Sequence, residues 1–283
     1  MSEFARDVRA ALSDHAAKAD TGATERMGYF SVPFRPASGP LSHCVVKPFR
    51  AGRDPEVLEP LMRRHDSYVE CLNRVGLTVP ETRLILMDEH GLVRPVIVQD
   101  AIAPGALAAR LVQTAPLQTA LDAMEAVGRS VCGFWSGVAQ RPERIGLHAS
   151  IQNFALDAEA RPVFLDTFPP LIGLSRDEMG RLLLRFSESG LIRGIGAVLP
   201  GRAREIQDPW YTLPGNLVLL TETAIRTRPQ DALALLQWAE TFARSSLSAS
   251  DRSAMLTALN RPRPTVTGRA STRPFGFGAR PNA

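Results

Sequence analysis

Lysine is almost missing from this chain. Of its 33 basic residues only Lys18 and Lys47 are lysine, and the rest are arginine. Arginine in place of lysine on that scale reflects genome composition and carries no function. It does make each remaining lysine a residue to account for. Cysteine is scarce too: Cys44, Cys71 and Cys132 lie in apolar settings without paired spacing. That reads as reduced core thiols in a cytoplasmic protein, not as a disulfide frame or a zinc site. No apolar run approaches the roughly 18 residues of a membrane span, and the opening MSEFARDVRAALSDHAAKAD has no apolar signal core. The net charge of +4 is small for 283 residues, and no basic stripe interleaved with aromatics crosses the body. There is thus no specific nucleic-acid signal. A Gly-x-Ser-x-Gly elbow is absent, so Ser/His/Asp nucleophilic catalysis finds no support. Internal repeats are absent as well.

What is present is an apolar content of 45%, enough for a sizeable core. Residues 2–19 have the pattern of an amphipathic helix. YFSVPFRP and LSHCVVKPF are strand-like, the second with Lys47 near its end. A helix is predicted from Pro55, with Asp54 as N-cap, to Val75, and Gly76 ends it. Two more strands follow around a turn at Asp88–Gly91. After residue 105 the texture is helical: Ala106–Val112, then Leu117–Ala139 with Leu117, Leu121, Met124, Val127, Val131 and Phe134 on one face. Helices are predicted again over Arg176–Ser189, Asn216–Thr227, Pro229–Ser246 and Ser250–Leu259.

Between the long helix and these lies IGLHASIQNFALDAEARPVFLDTFPP, residues 145–170. Two apolar runs, Phe154–Leu156 and Val163–Leu165, flank the polar turn Asp157–Arg161, the pattern of a β-hairpin. Asn153 precedes the first run and Asp166 follows the second, so a hairpin sets them side by side at its mouth. An amide oxygen and a carboxylate are both hard ligands and suit a Mg²⁺ that also holds substrate phosphates.

This stretch resembles the catalytic core of the protein-kinase-like phosphotransferases, particularly the aminoglycoside and choline type. In that family an Asn closes the catalytic loop and a metal-binding Asp follows the hairpin 13 residues on, the separation of Asn153 and Asp166. The family's catalytic Asp stands five residues before the Asn, where this chain has His148. The resemblance implies an α+β, two-lobe kinase-like fold with four parts. These are an N-terminal helix (1–19), a small antiparallel-sheet N-lobe (20–102), a larger helical C-lobe with the metal hairpin (103–260) and a basic Pro/Gly/Arg-rich tail (261–283), expected to be disordered.

The same resemblance assigns roles. Lys47 takes the place of the strand lysine that reaches the α- and β-phosphates of ATP. Its acidic partner on the next helix is Asp66 or Glu70, one turn apart, with the distance to the next strand favouring Asp66. Thr21–Gly28, with Gly22 and Gly28, occupies the place of a phosphate-cradling loop, but its spacing matches no strong fingerprint and by itself it reads as a plain turn. Gln99 and Ala101 fall at the lobe connector, whose backbone would meet an adenine.

Asp166 would serve both metal and catalysis. His148 is open to four readings: a base for the acceptor hydroxyl, a structural residue of a pseudokinase, a metal or phosphate ligand, or a neighbour of the true group, Ser150 or Asp157. Glu188, Glu205 and Asp208 would suit a cationic acceptor, and Arg193, Arg202 and Arg204 an anionic one. Trp210 and Tyr211 either stack on a ligand or plug the core. The implied function is an ATP- and Mg²⁺-dependent phosphotransferase acting on a hydroxyl of a small molecule or modified peptide, with bacterial specialised metabolism as a setting. The alternative is a pseudokinase that binds nucleotide and regulates a protein partner.

Overall fold

A computed structural model describes residues 2–19, 32–52, 55–89, 91–186 and 206–261. The chain is mixed α+β, with a small antiparallel sheet and a larger helical part. It forms two compact units. The first comprises Met1–Asn73, Val79–Ala101 and Thr167–Arg204; the second comprises Arg74–Thr78, Ile102–Asp166 and Glu205–Ala283.

In the first unit, strands β1 (Cys44–Pro48), β2 (Thr82–Glu89) and β3 (Leu92–Asp100) pair antiparallel in the order β1-β3-β2. Gly91, at φ +80°, supplies the left-handed residue that the β2–β3 turn needs. Alternation sends Cys44, Val46, Val96 and Val98 to one face, where helix α1 (Glu3–Ala19) covers them with Val8 buried and Phe4, Ala5, Ala11 and Leu12 beside it. The other face carries Lys47 and Gln99. Of the first predicted strand, Phe34 bridges Val46 and no strand forms in its described part; its first residues lie outside the described ones.

Helix α2 (Pro55–Arg74) buries a stripe of Leu58, Leu61, His65, Tyr68 and Leu72, spaced by three and four residues. One member of that stripe is not apolar. Helix α3 of this unit (Arg176–Phe186) opens with a capping box: Ser175 Oγ accepts from Glu178 N at 3.2 Å and Glu178 Oε2 from Ser175 N at 2.8 Å. It buries Met179, Leu182, Leu183 and Phe186.

In the second unit, α4 (Ala108–Thr114) and α5 (Leu117–Val138) precede the hairpin β4 (Phe154–Leu156) and β5 (Pro162–Phe164). Helices α6 (Leu213–Thr227), α7 (Ala232–Ser246) and α8 (Ala249–Leu259) follow. The buried face of α5 is Ala120, Ala123, Met124, Val127, Gly128, Val131, Phe134 and Val138. Leu117 and Leu121 are only half-buried. Small residues carry much of this face because the Phe242 ring packs against Gly128, where an added Cβ would stand 2.9 Å from it. The hairpin pairs Phe154 with Phe164, both fully buried.

Candidate functional site

The hairpin closes at both ends. At its tip Asp157 Oδ1 accepts from the backbone N–H of Arg161 at 2.8 Å and of Glu159 at 3.0 Å, and Arg161 Nε donates to Oδ2 at 2.7 Å. The Arg161 N–H in particular holds the Asp157 carboxyl below its ordinary range. Asp157 is therefore the turn residue and takes no part in the mouth. There Leu165 N donates to Asn153 O at 2.8 Å, which fixes Asn153 beside the residue before Asp166.

Three side chains meet at the mouth. Asn153 Nδ2 donates to Asp166 Oδ2 at 3.0 Å and to the His148 carbonyl at 2.9 Å. His148 Nδ1 lies 3.0 Å from the same Asp166 Oδ2. A carboxylate oxygen only accepts, so Nδ1 carries the proton and the lone pair of the neutral ring sits on Nε2. The orientation of the Asn153 amide follows by the same logic, since the two nearest partners of Nδ2 are acceptors; His148 Nδ1 lies 3.2 Å from it as well. Asn153 Oδ1, Asp166 Oδ1 and His148 Nε2 make no hydrogen bond among the described residues. Two oxygens suited to a hard cation and one basic nitrogen remain for ligands. His148 and Asp166 are 23% and 29% exposed, so both can be reached.

The loop bearing His148 is held from several sides. Leu147 N donates to Trp210 O at 2.8 Å, Ala149 N to Asn216 Oδ1 at 3.2 Å and Ile151 N to Thr223 Oγ1 at 3.0 Å. Gly146 lets the Trp210 carbonyl and the Tyr211 ring approach within 2.8–2.9 Å of where a Cβ would stand. The Trp210 ring lies 4.7 Å from the His148 imidazole, so it plugs the core and orients the site together. Ser150 is buried and donates to Gln152, away from the mouth. Asn216 is fully buried and also donates to Pro209 O and Thr212 O, each at 3.0 Å. Asn216→Ala would orphan the N–H of buried Ala149 and take its side-chain donor from the Pro209 carbonyl, while the Thr212 carbonyl keeps the backbone N–H of residue 216. A loss of ~2–3 kcal/mol in urea-unfolding stability is expected.

In the first unit, Lys47 Nζ donates to Gln99 Oε1 at 2.8 Å, and Gln99 Nε2 to Thr82 Oγ1 at 2.9 Å. The register explains the row: Gln99 faces Val45 and Thr82, and Lys47 faces Ile97, so Lys47 and Gln99 are diagonal neighbours on one face. Through its side chain Gln99 thus links Lys47 to Thr82. Its backbone lies in the ladder of the central strand, and the Ala101 N–H goes to His43 O at 2.9 Å. Asp66 is 76% exposed and stands 3.7 Å from His65 Nδ1, and among the described residues it makes no ion pair with Lys47. Gly22, Gly28, Glu188, Arg193, Arg202, Arg204 and Glu205 lie outside the described residues, as do residues 262–283.

The sequence reading missed His65. It is fully buried on the apolar stripe of α2, with Nε2 3.0 Å from Thr167 Oγ1. A histidine where helical periodicity demands an apolar residue was the available signal. Burial pushes its pKa down to about 4, the Lys47 charge adds to this, and Asp66 opposes it. The folded state therefore resists a proton that the unfolded chain takes up near ~6.5. Stability is complete above that pH and falls as the pH drops towards 4, by about 3 kcal/mol. Urea melts between pH 7 and 4 of wild type and His65→Leu would show it, with the variant's acid slope shallower.

An α+β chain whose hairpin mouth joins an amide, a carboxylate and an imidazole is the class these observations define. It belongs to DUF6206, a family of unknown function whose profile matches residues 7–269. No curated protein matches it. Among solved structures, one of WaaP in complex with acyl carrier protein is similar at 16% identity and a TM-score of 0.39, over 91% of this chain and 95% of that one. At that level no residue role follows from the likeness. Among the described residues, no helix is long and apolar enough to cross a membrane.

Proposed function

We propose that this chain is an ATP-dependent, Mg²⁺-requiring phosphotransferase of the kinase-like kind, acting on a hydroxyl of a small molecule or a modified peptide. The observation that supports it most is the Asn153–Asp166–His148 cluster. Its hydrogen bonds consume Asn153 Nδ2, Asp166 Oδ2 and His148 Nδ1 and leave the two oxygens and the one nitrogen that such chemistry uses. In this reading Asn153 and Asp166 hold the cation, which takes few protein ligands because it keeps waters and phosphate oxygens. When bound, Mg²⁺ supplies neutralisation of phosphate charge. His148 Nε2 accepts the proton of the acceptor hydroxyl as its oxygen bonds to the terminal phosphorus and ADP leaves. Asp166 keeps the ring in the tautomer that allows this and stabilises the imidazolium that results, the part a carboxylate plays behind a catalytic histidine. Lys47, oriented by Gln99, supplies a cation for the remaining phosphates.

The test is a thermal-shift titration with ATP, with and without Mg²⁺, on wild type and Lys47→Ala. A ligand confined to the folded state stabilises it by about 2.7 kcal/mol at a hundredfold excess over Kd. A Mg²⁺-dependent shift in wild type that Lys47→Ala loses is the expected result. No shift at millimolar Mg-ATP would sink the proposal. A shift without acceptor-dependent ATP consumption would leave the pseudokinase reading, with a protein as the partner.

A further inference from the structure

The entry to β1 and the exit from β3 lie side by side. Cys44 pairs with Asp100 across the ladder, and the turn residue just before β1, His43, accepts the Ala101 N–H at 2.9 Å. On the far side the Asp100 N–H bonds to Glu81 O at 2.9 Å. Three backbone segments are thereby locked at one end of the sheet. The side chains they carry converge: a ring nitrogen of His43, the Cys44 sulfur and a carboxylate oxygen of Asp100 all lie within 4.8 Å of one another. Cys44 is buried and fixed, with its sulfur 4.0 Å from Asp100 Oδ1, whereas His43 and Asp100 are exposed.

We infer that His43, Cys44 and Asp100 form a binding site for a divalent metal ion of the zinc class. Sulfur and nitrogen ligands select such a metal over Mg²⁺ or Ca²⁺, and a single carboxylate completes a mixed set. Three protein ligands leave a fourth tetrahedral position for water, the pattern of open zinc sites. Ligand atoms around such an ion stand roughly 3.3–3.9 Å apart, given metal–ligand bonds of about 2.0–2.3 Å. The present spacing therefore needs a contraction of at most about 1.5 Å. Rotation of the two exposed side chains supplies it without moving the buried sulfur. Burial, and after it the carboxylates of Asp100 and Glu81, push the Cys44 thiol above its ordinary range with the Arg35 guanidinium opposing, and those two carboxylates also favour a cation beside the sulfur. The set escapes a spacing search because its third ligand comes 56 residues after the cysteine. Bound there, the ion would join the start of β1 to the end of β3.

Cobalt(II) titration of the full-length protein tests the site. One equivalent should bind with visible d–d bands and a near-ultraviolet thiolate-to-cobalt charge-transfer band, and Zn²⁺ should displace it, being the stronger binder in the divalent series. Cys44→Ser should remove the charge-transfer band. His43→Ala and Asp100→Asn change exposed positions and should keep the wild-type melt. Each should weaken Co²⁺ binding by more than the about tenfold to hundredfold that loss of a supporting partner costs. Asp166→Asn should leave the band intact, which separates this site from the oxygen pair at the hairpin. No charge-transfer band in wild type, or a band that survives Cys44→Ser, would overturn the inference.

Discussion

His148→Ala is expected to lower acceptor-dependent ATP consumption by roughly 10²- to 10⁴-fold, the range a positioned general base contributes. The Mg-ATP thermal shift should survive. The asymmetry follows from the geometry: His148 gives only Nδ1 to the cluster, and Asp166 still receives Asn153 Nδ2 at 3.0 Å when the imidazole is gone. The metal oxygens therefore keep their main support while the basic nitrogen vanishes. An ADP-release assay run with and without acceptor, beside the thermal shift, reads both quantities. Unchanged consumption would remove His148 from the chemistry. Loss of the shift as well would make it a structural residue.

Asp166→Asn should have the larger effect. The amide that replaces the carboxylate can still accept from His148 and Asn153 through its oxygen, so the mouth of the hairpin keeps its shape. What disappears is the one formal negative charge of the three-residue cluster. Affinity for a hard dication depends on that charge. The Mg²⁺-dependent part of the ATP shift should vanish, and turnover should fall on the order of 10³-fold or more, since phosphoryl transfer rests chiefly on charge neutralisation. Calorimetric titration with Mn²⁺ in the presence of ATP would show wild-type binding and none in the variant. Equal metal affinity in the two proteins would dismiss the proposed cation site.

The α+β arrangement was legible because its signals are local. Val45-Val46-Lys47, the Asp88–Gly91 turn between β2 and β3, and the Asp157–Arg161 turn each fix a strand or its end within a few residues. The hairpin then delivered Asn153 and Asp166 to one place, since a two-stranded ladder ties sequence distance to spatial distance. Local signals also explain the limits. The pairing of Lys47 with Gln99 depends on a diagonal across two strands whose register no single strand specifies. The choice between Asp66 and Glu70 rested on counting residues, and the helix turned Asp66 outward towards solvent. Trp210 reached His148 from a segment 62 positions later, held by a backbone bond and a glycine contact that pattern alone does not encode.

Asn153 offers a last consequence. Its amide nitrogen sits between two acceptors, so an aspartate there would set like charges 3.0 Å apart. The amide lets the cluster assemble by itself, with the carboxylate matched by N–H donors before any cation arrives. An ion at the hairpin would be a guest in a finished room, free to come and go with each substrate, and the fold would stand just as well while it is away.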